Sequence, residues 1–153
     1  GSVRNTELGP IVLLQDLTEC FPYDDPVFML KVTGAQFKQM IKYMVRDEVW
    51  QGAHCEFYQL SKGMRVVYNK DTKEFERFDY NGEAVDDNKV YKIGMQNFSF
   101  KNIEKFFCIP VKEIEANGSP RMISTSCREI LDEYLSAHQN LDRDITGRLV
   151  IVG

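Results

Sequence analysis

Residues 33–45, TGAQFKQMIKYMV, give the clearest helix signal in the chain. Thr33 and Gln36 form a capping-box pattern, in which each side chain accepts a hydrogen bond from a backbone N–H group at the helix start. Apolar residues follow at helical spacing: Phe37, Met40, Ile41, Met44 and Val45. The pattern predicts a helix from about Gly34 to Val49.

Further helices and several strands are predicted on either side of this segment. A second main helix follows Ser126, where Glu129 completes another capping box. Its apolar stripe consists of Ile130, Leu131, Tyr134 and Leu135. A shorter helix is predicted around Leu14–Cys20. Runs of β-branched and aromatic residues predict strands at Val27–Val32, Glu56–Leu60, Met64–Tyr68, Phe75–Tyr80, Val90–Met95 and Leu149–Val152.

Turn signals separate these strands. Asn81-Gly82 is a strong hairpin signal, and residues 69–72, NKDT, predict another turn. Asn97–Asn117 is predicted to be long and irregular, and loops of that kind often carry binding residues. Because no internal repeat or linker is present, the sequence predicts a single α+β domain over residues 1–153. We expect a mixed β-sheet with hairpins, covered by the two main helices.

Composition restricts the class of partner. The chain has 153 residues and a formal net charge of −4, and its lysines and arginines are scattered. A phosphate backbone is usually bound by a basic stripe, so this distribution argues against a nucleic acid polymer. A single nucleotide needs one or two arginines and stays compatible with the composition. No apolar stretch approaches the ~20 residues of a membrane-spanning helix, so no membrane span is expected.

Motifs for metal or nucleophilic chemistry are absent from the sequence. His54 and His138 are too few and too far apart for a metal cluster, so no metal site is predicted. No nucleophile elbow, phosphate-binding P-loop or zinc-protease motif occurs. The cysteines Cys20, Cys55, Cys108 and Cys127 lie far apart. Their number permits two disulfides, but a chain of this length does not require them, and we expect buried thiols.

Two aromatic residues stand at the predicted ends of elements. Tyr23 lies between a proline and two acidic residues, which should keep it at the surface, and Phe98 follows the strand Val90–Met95. Side by side, the two rings would form a sandwich for a planar base. Arg4 precedes them and carries a planar fork suited to a phosphate or carboxylate. The alternative is that both rings pack at the edge of the core and that the arginine is simply solvated.

Four segments in this order resemble the C-terminal domain of the 5′-nucleotidase family. They are GSVR at residues 1–4, LTECFPY at 17–23, KVTGAQFK at 31–38 and VYKIGMQNF at 90–98. Proteins of that family are two-domain metallophosphoesterases. The resemblance implies that a separate N-terminal domain holds two divalent metal ions and hydrolyses the phosphoester. It also implies that the C-terminal domain binds the nucleoside and presents it to those metals.

The resemblance assigns roles to individual residues. Arg4 matches an arginine that contacts the substrate, and Tyr23 and Phe98 match the two halves of the base sandwich. Glu104 lies where the family has the aspartate of a Gly-Gly-Asp-Gly loop. This chain has NIEK at residues 102–105, so we expect the loop to follow another path. A second departure is that Tyr23-Asp24 stands where the family has Phe-Gly.

These observations support a nucleoside- or nucleotide-binding domain cut from a longer hydrolase. The chain alone is expected to be inactive and to need no cofactor of its own. The main alternative is a non-enzymatic interaction module that keeps the fold without a working pocket. A free-standing enzyme that uses Cys127 or His54 is a third hypothesis. The resemblance suggests an extracytoplasmic, bacterial protein, whereas scattered thiols suit a reducing cytosol.

Overall fold

The computed structural model describes residues 3–4, 8–55, 57–141 and 145–153. The helices are α1 (Leu14–Cys20), α2 (Gly34–Met44), α3 (Asp47–Trp50), α4 (Asn97–Lys101), α5 (Ile103–Phe107), α6 (Val111–Ala116) and α7 (Cys127–Ala137). The strands are β1 (Val27–Thr33), β2 (Met64–Asn69), β3 (Glu74–Tyr80), β4 (Glu83–Ala84), β5 (Val90–Gln96), β6 (Arg121–Ser124) and β7 (Leu149–Val152).

The strands form two separate sheets. Sheet A is antiparallel, with the order β5-β1-β6, and its central strand pairs with β5 along its whole length. Sheet B has the order β4-β3-β2-β7, in which β7 runs parallel to β2 and the other pairs are antiparallel. The predicted α+β class is confirmed. The sequence predicted one mixed sheet, and the structure divides the strands between two.

Helix α2 contributes to both hydrophobic cores. Met40 is buried in the core that faces sheet A, together with Leu30, Val32, Ile103, Phe107, Ile109 and Ile114. Ile41 and Met44 are buried in the core that faces sheet B, together with Val45, Leu60, Met64, Val66, Tyr68, Phe78 and Val85. Phe37 packs against both cores. The predicted capping box is present, because Thr33 accepts from the Gln36 backbone and Gln36 accepts from the Thr33 backbone.

The predicted C-terminal end of α2 is wrong by several residues. The helix ends at Met44, and a separate short helix, α3, covers Asp47–Trp50. Arg46 explains the break: it has extended backbone angles, φ −67° and ψ 155°, and its guanidinium donates to the Tyr43 carbonyl at 2.5 Å. The same guanidinium stacks over the Tyr43 ring, 3.9 Å from its centroid. This side chain satisfies a carbonyl that a continuing helix would have bonded internally.

The stretch Asn97–Asn117, predicted to be irregular, contains the three short helices α4, α5 and α6. Their apolar residues Ile103, Phe107 and Ile114 are almost fully buried against sheet A. Helices of five or six residues are too short to show a clear periodicity, and tertiary packing stabilises them. Local periodicity therefore could not predict these three helices.

Strand predictions were mostly correct, with one false strand and two missed ones. For the predicted strand Glu56–Leu60, Glu56 lies outside the described residues, and residues 57–60 form no strand. There the Tyr58 backbone N–H points to the Met44 sulfur at 3.1 Å instead of to a neighbouring strand. Strands β4 and β6 were not predicted. Both are short, with two and four residues.

Both predicted turns are present. Asn81 and Gly82 have positive φ values of 52° and 85°, as a tight hairpin turn requires. The Asn69 side-chain oxygen accepts from the backbone N–H groups of Asp71 and Thr72 and so closes the second turn. Of the predicted buried thiols, Cys127 is buried, Cys20 and Cys55 are partly buried, and Cys108 is exposed.

Helix α7 covers less of the molecule than the sequence predicted. It packs against α1, but Ile130, Leu131 and Tyr134 of its apolar stripe stay 41%, 36% and 42% exposed. His138 follows the helix and stacks on the Tyr134 ring, with 4.2 Å between the ring centroids. None of the helices in the described ranges is long and apolar enough to span a membrane.

Gly34 is required where α2 begins against the turn before β5. Its N–H donates to the Lys89 carbonyl at 3.0 Å, so the helix start lies directly on this turn. A β-carbon at position 34 would lie 2.1 Å from the backbone oxygen of Asp86 and 2.9 Å from a methyl carbon of Val85. The backbones of Gly34 and Asp86 cannot move apart without breaking the hydrogen bonds that join the helix start to this turn.

We therefore expect Gly34→Ala to lower the free energy of unfolding by about 1–3 kcal/mol, although alanine is the better helix former. Urea denaturation followed by circular dichroism measures this change. Gly94→Ala is the matched control, because a β-carbon at Gly94 in β5 would meet no atom within 4 Å. Equal stability of the two variants would contradict this account of Gly34.

Candidate functional site

The two predicted aromatic residues leave sheet A at the same end. Tyr23 precedes β1, and Phe98 lies in the first turn of α4, directly after β5. Because β1 and β5 are antiparallel, Val27 at the start of one is opposite Gln96 at the end of the other. A backbone hydrogen bond from Asn97 to the Pro26 carbonyl, 2.8 Å long, joins the two segments just beyond the sheet. The antiparallel pair therefore holds both aromatic segments at one end of sheet A.

Both rings are half exposed. Tyr23 has a relative exposure of 52% and Phe98 of 50%, so neither ring is buried in the core. Phe98 packs on one side against Phe106 of α5, with 5.9 Å between the ring centroids. This contact fixes the ring while about half of the side chain stays accessible.

Arg4 lies beside Tyr23. Its guanidinium donates to the Tyr23 hydroxyl at 3.0 Å, and its backbone N–H donates to the Cys20 carbonyl at the end of α1 at 2.7 Å. Of the segment GSVR, residues 1 and 2 lie outside the described residues. The structure thus brings two of the predicted site residues, Arg4 and Tyr23, into direct contact.

Glu104 has a structural partner. It lies in α5, is exposed, and accepts a hydrogen bond from the Val111 backbone N–H at 2.8 Å through one carboxylate oxygen. Val111 is the first residue of α6, so this bond connects two helices and satisfies a backbone N–H group at a helix start. The neighbouring Ile103 is fully buried, and residues 102–105 are therefore fixed by helix packing.

Asp24, noted in the sequence only as a departure from the family's Phe-Gly, makes contacts that the sequence did not predict. Its Oδ1 atom accepts from the Ser126 hydroxyl at 2.7 Å and from the Arg128 backbone N–H at 3.1 Å. The Cys127 N–H also donates to the Asp25 carbonyl at 3.1 Å. These bonds fasten the Tyr23 segment to the start of α7. More than a hundred residues separate the partners along the chain, and no local sequence signal indicates such a pairing.

The hydrogen bonds of Asp24 change its titration. Two hydrogen bonds hold the pKa of the Asp24 carboxyl below its ordinary value. The bond from the Ser126 hydroxyl has the larger effect, and the bond from the Arg128 backbone N–H comes next. The Arg128 guanidinium, 3.6 Å from Oδ2, adds a smaller favourable interaction with the ionised form. As an ionised carboxylate, Asp24 thus joins the segment that carries Tyr23 to the start of α7.

The surroundings of Cys127 disfavour its use as a nucleophile. Cys127 is 7% exposed, and burial raises the pKa of its thiol, which disfavours the reactive thiolate. Within the described ranges, no three His, Cys, Asp or Glu side chains are grouped as a metal site would require. An apolar pocket opens near the end of sheet A that carries Tyr23 and Phe98. It is lined by Val27, Gly94, Met95, Gln96, Cys127, Ile130 and Leu131.

Comparison with protein families identifies the fold. The family model described as 5′-nucleotidase, C-terminal domain, matches residues 1–109 of the 153. The chain belongs to this family. The resemblance stated from the four sequence segments is confirmed. The match includes Arg4, Tyr23, Phe98 and Glu104. It leaves out most of the last third of the chain, where α7 and β7 lie.

Solved structures of two nucleotidases and of a sulfate thiohydrolase show a similar fold. A 5′-nucleotidase precursor from Thermus thermophilus matches with a TM-score of 0.77 and 18% identity, covering 93% of this chain and 28% of that protein. The NAD nucleotidase of Haemophilus influenzae gives 0.74 and 16% identity, covering 92% and 26%. A Thermus thermophilus sulfate thiohydrolase, SoxB, in complex with glycerol, gives 0.55 and 19%, covering 87% and 23%.

These likenesses establish the fold of a 5′-nucleotidase C-terminal domain. The chain spans less than a third of the length of each of these solved proteins. No curated protein sequence matches the chain. The ligand and the activity therefore have to be argued from the residues of the chain itself.

The contacts of Asp24 generate a prediction on stability and pH. A carboxyl with a pKa below the ordinary 3.8 stabilises the folded state above that pH, and this contribution is lost as pH falls through the folded-state pKa. We expect the wild type to be more stable than Asp24→Asn by an equal amount at about pH 7 and about pH 5. The difference should shrink below pH 3.8. Urea denaturation across this pH series measures it.

Asp25→Asn is the control for this series, because Asp25 contacts α7 through its backbone carbonyl, which the substitution leaves in place. We expect a smaller stability loss for Asp25→Asn at neutral pH. A loss as large as that of Asp24→Asn, with the same pH dependence, would show that general loop charge and not the Asp24 contacts is responsible.

Proposed function

We propose that the chain is the nucleoside- or nucleotide-binding domain of a 5′-nucleotidase-like metallophosphoesterase. One observation carries the proposal: Tyr23 and Phe98 are half exposed at the same end of sheet A, and the Arg4 guanidinium lies beside Tyr23. Family membership supports the same assignment, because the named nucleotidases share this fold. The proposed ligand stacks its planar base on the two rings.

Each residue would supply a different part of the binding energy. Stacking on an aromatic side chain contributes about 1–3 kcal/mol per base and depends little on which base is present. Arg4 has five N–H donors, one of which contacts the Tyr23 hydroxyl, and its planar fork suits the phosphate or ribose side of the ligand. Glu104 uses one carboxylate oxygen on Val111, and its second oxygen is the acceptor proposed for a ligand hydroxyl.

Hydrolysis is assigned to a separate domain of the parent protein. Phosphoester hydrolysis of this type needs clustered metal ligands, and we propose that they lie in an N-terminal domain with two divalent metal ions, as the resemblance implies. That domain is the proposed partner in cis. The role of this chain is to hold the substrate and present its phosphoester, and the isolated chain is proposed to be catalytically inactive.

A second candidate function is supported by the local structure around Glu104. The glycine-rich loop expected from the family is replaced by residues that start α5, with Ile103 fully buried. Such a change would alter the wall of a nucleotide site. A non-enzymatic interaction module with this fold would bind neither adenosine nor AMP, so the same experiment separates the two functions.

We expect adenosine and AMP to bind the 153-residue chain, as measured by calorimetry or saturation-transfer NMR. Phe98→Ala should weaken both ligands by about 1–3 kcal/mol, or roughly 5- to 150-fold, because one stacking face is lost. Tyr80→Ala is the matched control: Tyr80 is 43% exposed but lies on β3 in sheet B. It should leave both affinities unchanged.

Two results would count against a nucleotide site. One is the absence of binding at millimolar ligand, and the other is binding that Phe98→Ala and Tyr80→Ala affect equally. The first result favours the interaction module. The second indicates a ligand site elsewhere on the chain.

A further inference from the structure

We propose that the Tyr23 hydroxyl is a positioning group: it holds the Arg4 guanidinium at the rim of the stacking ring, so that the site selects a phosphate-bearing nucleotide over the uncharged nucleoside. This inference rests on the proposed function and adds a determinant of specificity to it. It concerns a hydroxyl group that the family pattern, with phenylalanine at this position, does not provide.

The geometry of Arg4 differs from that of a stacked arginine in the same chain. Arg46 lies over the face of Tyr43, with its guanidinium carbon 3.9 Å from the ring centroid. The guanidinium carbon of Arg4 is 5.3 Å from the Tyr23 centroid, while its Nη2 atom is 3.0 Å from the hydroxyl oxygen. Arg4 is therefore displaced towards the hydroxyl end of the ring. Because Tyr23 is 52% exposed, we infer that part of its ring stays open to a base.

Within the part of the chain that the structure describes, the Tyr23 hydroxyl is the hydrogen-bond partner of the Arg4 side chain. Arg4 is exposed, and its backbone is fixed to Cys20 at 2.7 Å, but a long arginine side chain loses much rotamer freedom when it binds an anion. A hydrogen bond that orders the side chain before the ligand arrives reduces this entropic loss. Phenylalanine at position 23 would offer the same stacking face without an acceptor for the guanidinium.

The consequence is a difference between ligands. A phosphate is recognised by the preordered guanidinium, whereas adenosine depends mainly on stacking. Tyr23→Phe should therefore weaken AMP by about 3- to 10-fold, the size expected for the net contribution of one hydrogen bond, and change adenosine by less than about 2-fold. Calorimetric titration of the 153-residue chain with both ligands measures the two changes.

Arg4→Ala provides the matched background. Because the hydroxyl acts through Arg4, Tyr23→Phe should have no further effect on AMP affinity once Arg4 is alanine. Equal weakening of AMP and adenosine by Tyr23→Phe, or an undiminished effect in the Arg4→Ala background, would show that the hydroxyl contacts the ligand directly. Unchanged AMP affinity in Tyr23→Phe would also overturn the proposal.

A ligand-free measurement separates this inference from the proposed function. The heteronuclear NOE of the Arg4 Nε–Hε group should fall in Tyr23→Phe, because the side chain loses its acceptor and becomes more mobile. An unchanged NOE would overturn the positioning role even if nucleotides bind. If the NOE falls but the wild type binds neither ligand, the hydrogen bond is confirmed as an ordering contact, and the nucleotide site and its selectivity fail together.

Discussion

The burial of α2 on two sides is the constraint on which the rest of this structure depends. Met40 is directed to the core of sheet A, Ile41 and Met44 to the core of sheet B, and Phe37 contacts both. A helix with apolar residues on two sides cannot remain at the surface, so two sheets have to cover it. The close approach at Gly34 belongs to the same arrangement, because it sets the start of the helix against the turn before β5.

This packing also provides the rigid base for the candidate site. Strand β1 runs directly into α2, so fixing the helix fixes the strand, and β1 in turn pairs with β5 over seven residue positions. Tyr23 and Phe98 lie just outside that paired region, on segments joined by a backbone hydrogen bond. Loops that carry binding residues gain precision when a rigid sheet positions them. The segments that carry Tyr23 and Phe98 are positioned by a rigid sheet in this way.

The two polar groups introduced by Tyr23-Asp24 both have partners. The tyrosine hydroxyl accepts from Arg4, and the aspartate carboxylate accepts from Ser126 and the Arg128 backbone. A phenylalanine and a glycine at these positions would make neither contact. This loop is thus tied to the start of the chain on one side and to α7 on the other. The family fold is kept, while the polar connections of its aromatic loop are specific to these residues.

The sequence by itself determined the α+β class, the main helices and strands, the Asn81-Gly82 turn and the family, because each depends on local periodicity, turn chemistry or short motifs. It also identified Arg4, Tyr23 and Phe98 as candidates by their residue types. Tertiary structure decided the division into two sheets, the three short helices after β5 and the end of α2 at Met44. It also decided the partners of Asp24 and Glu104. These features depend on contacts between residues distant in sequence or on side chains that compete for backbone groups, and local patterns do not encode such contacts.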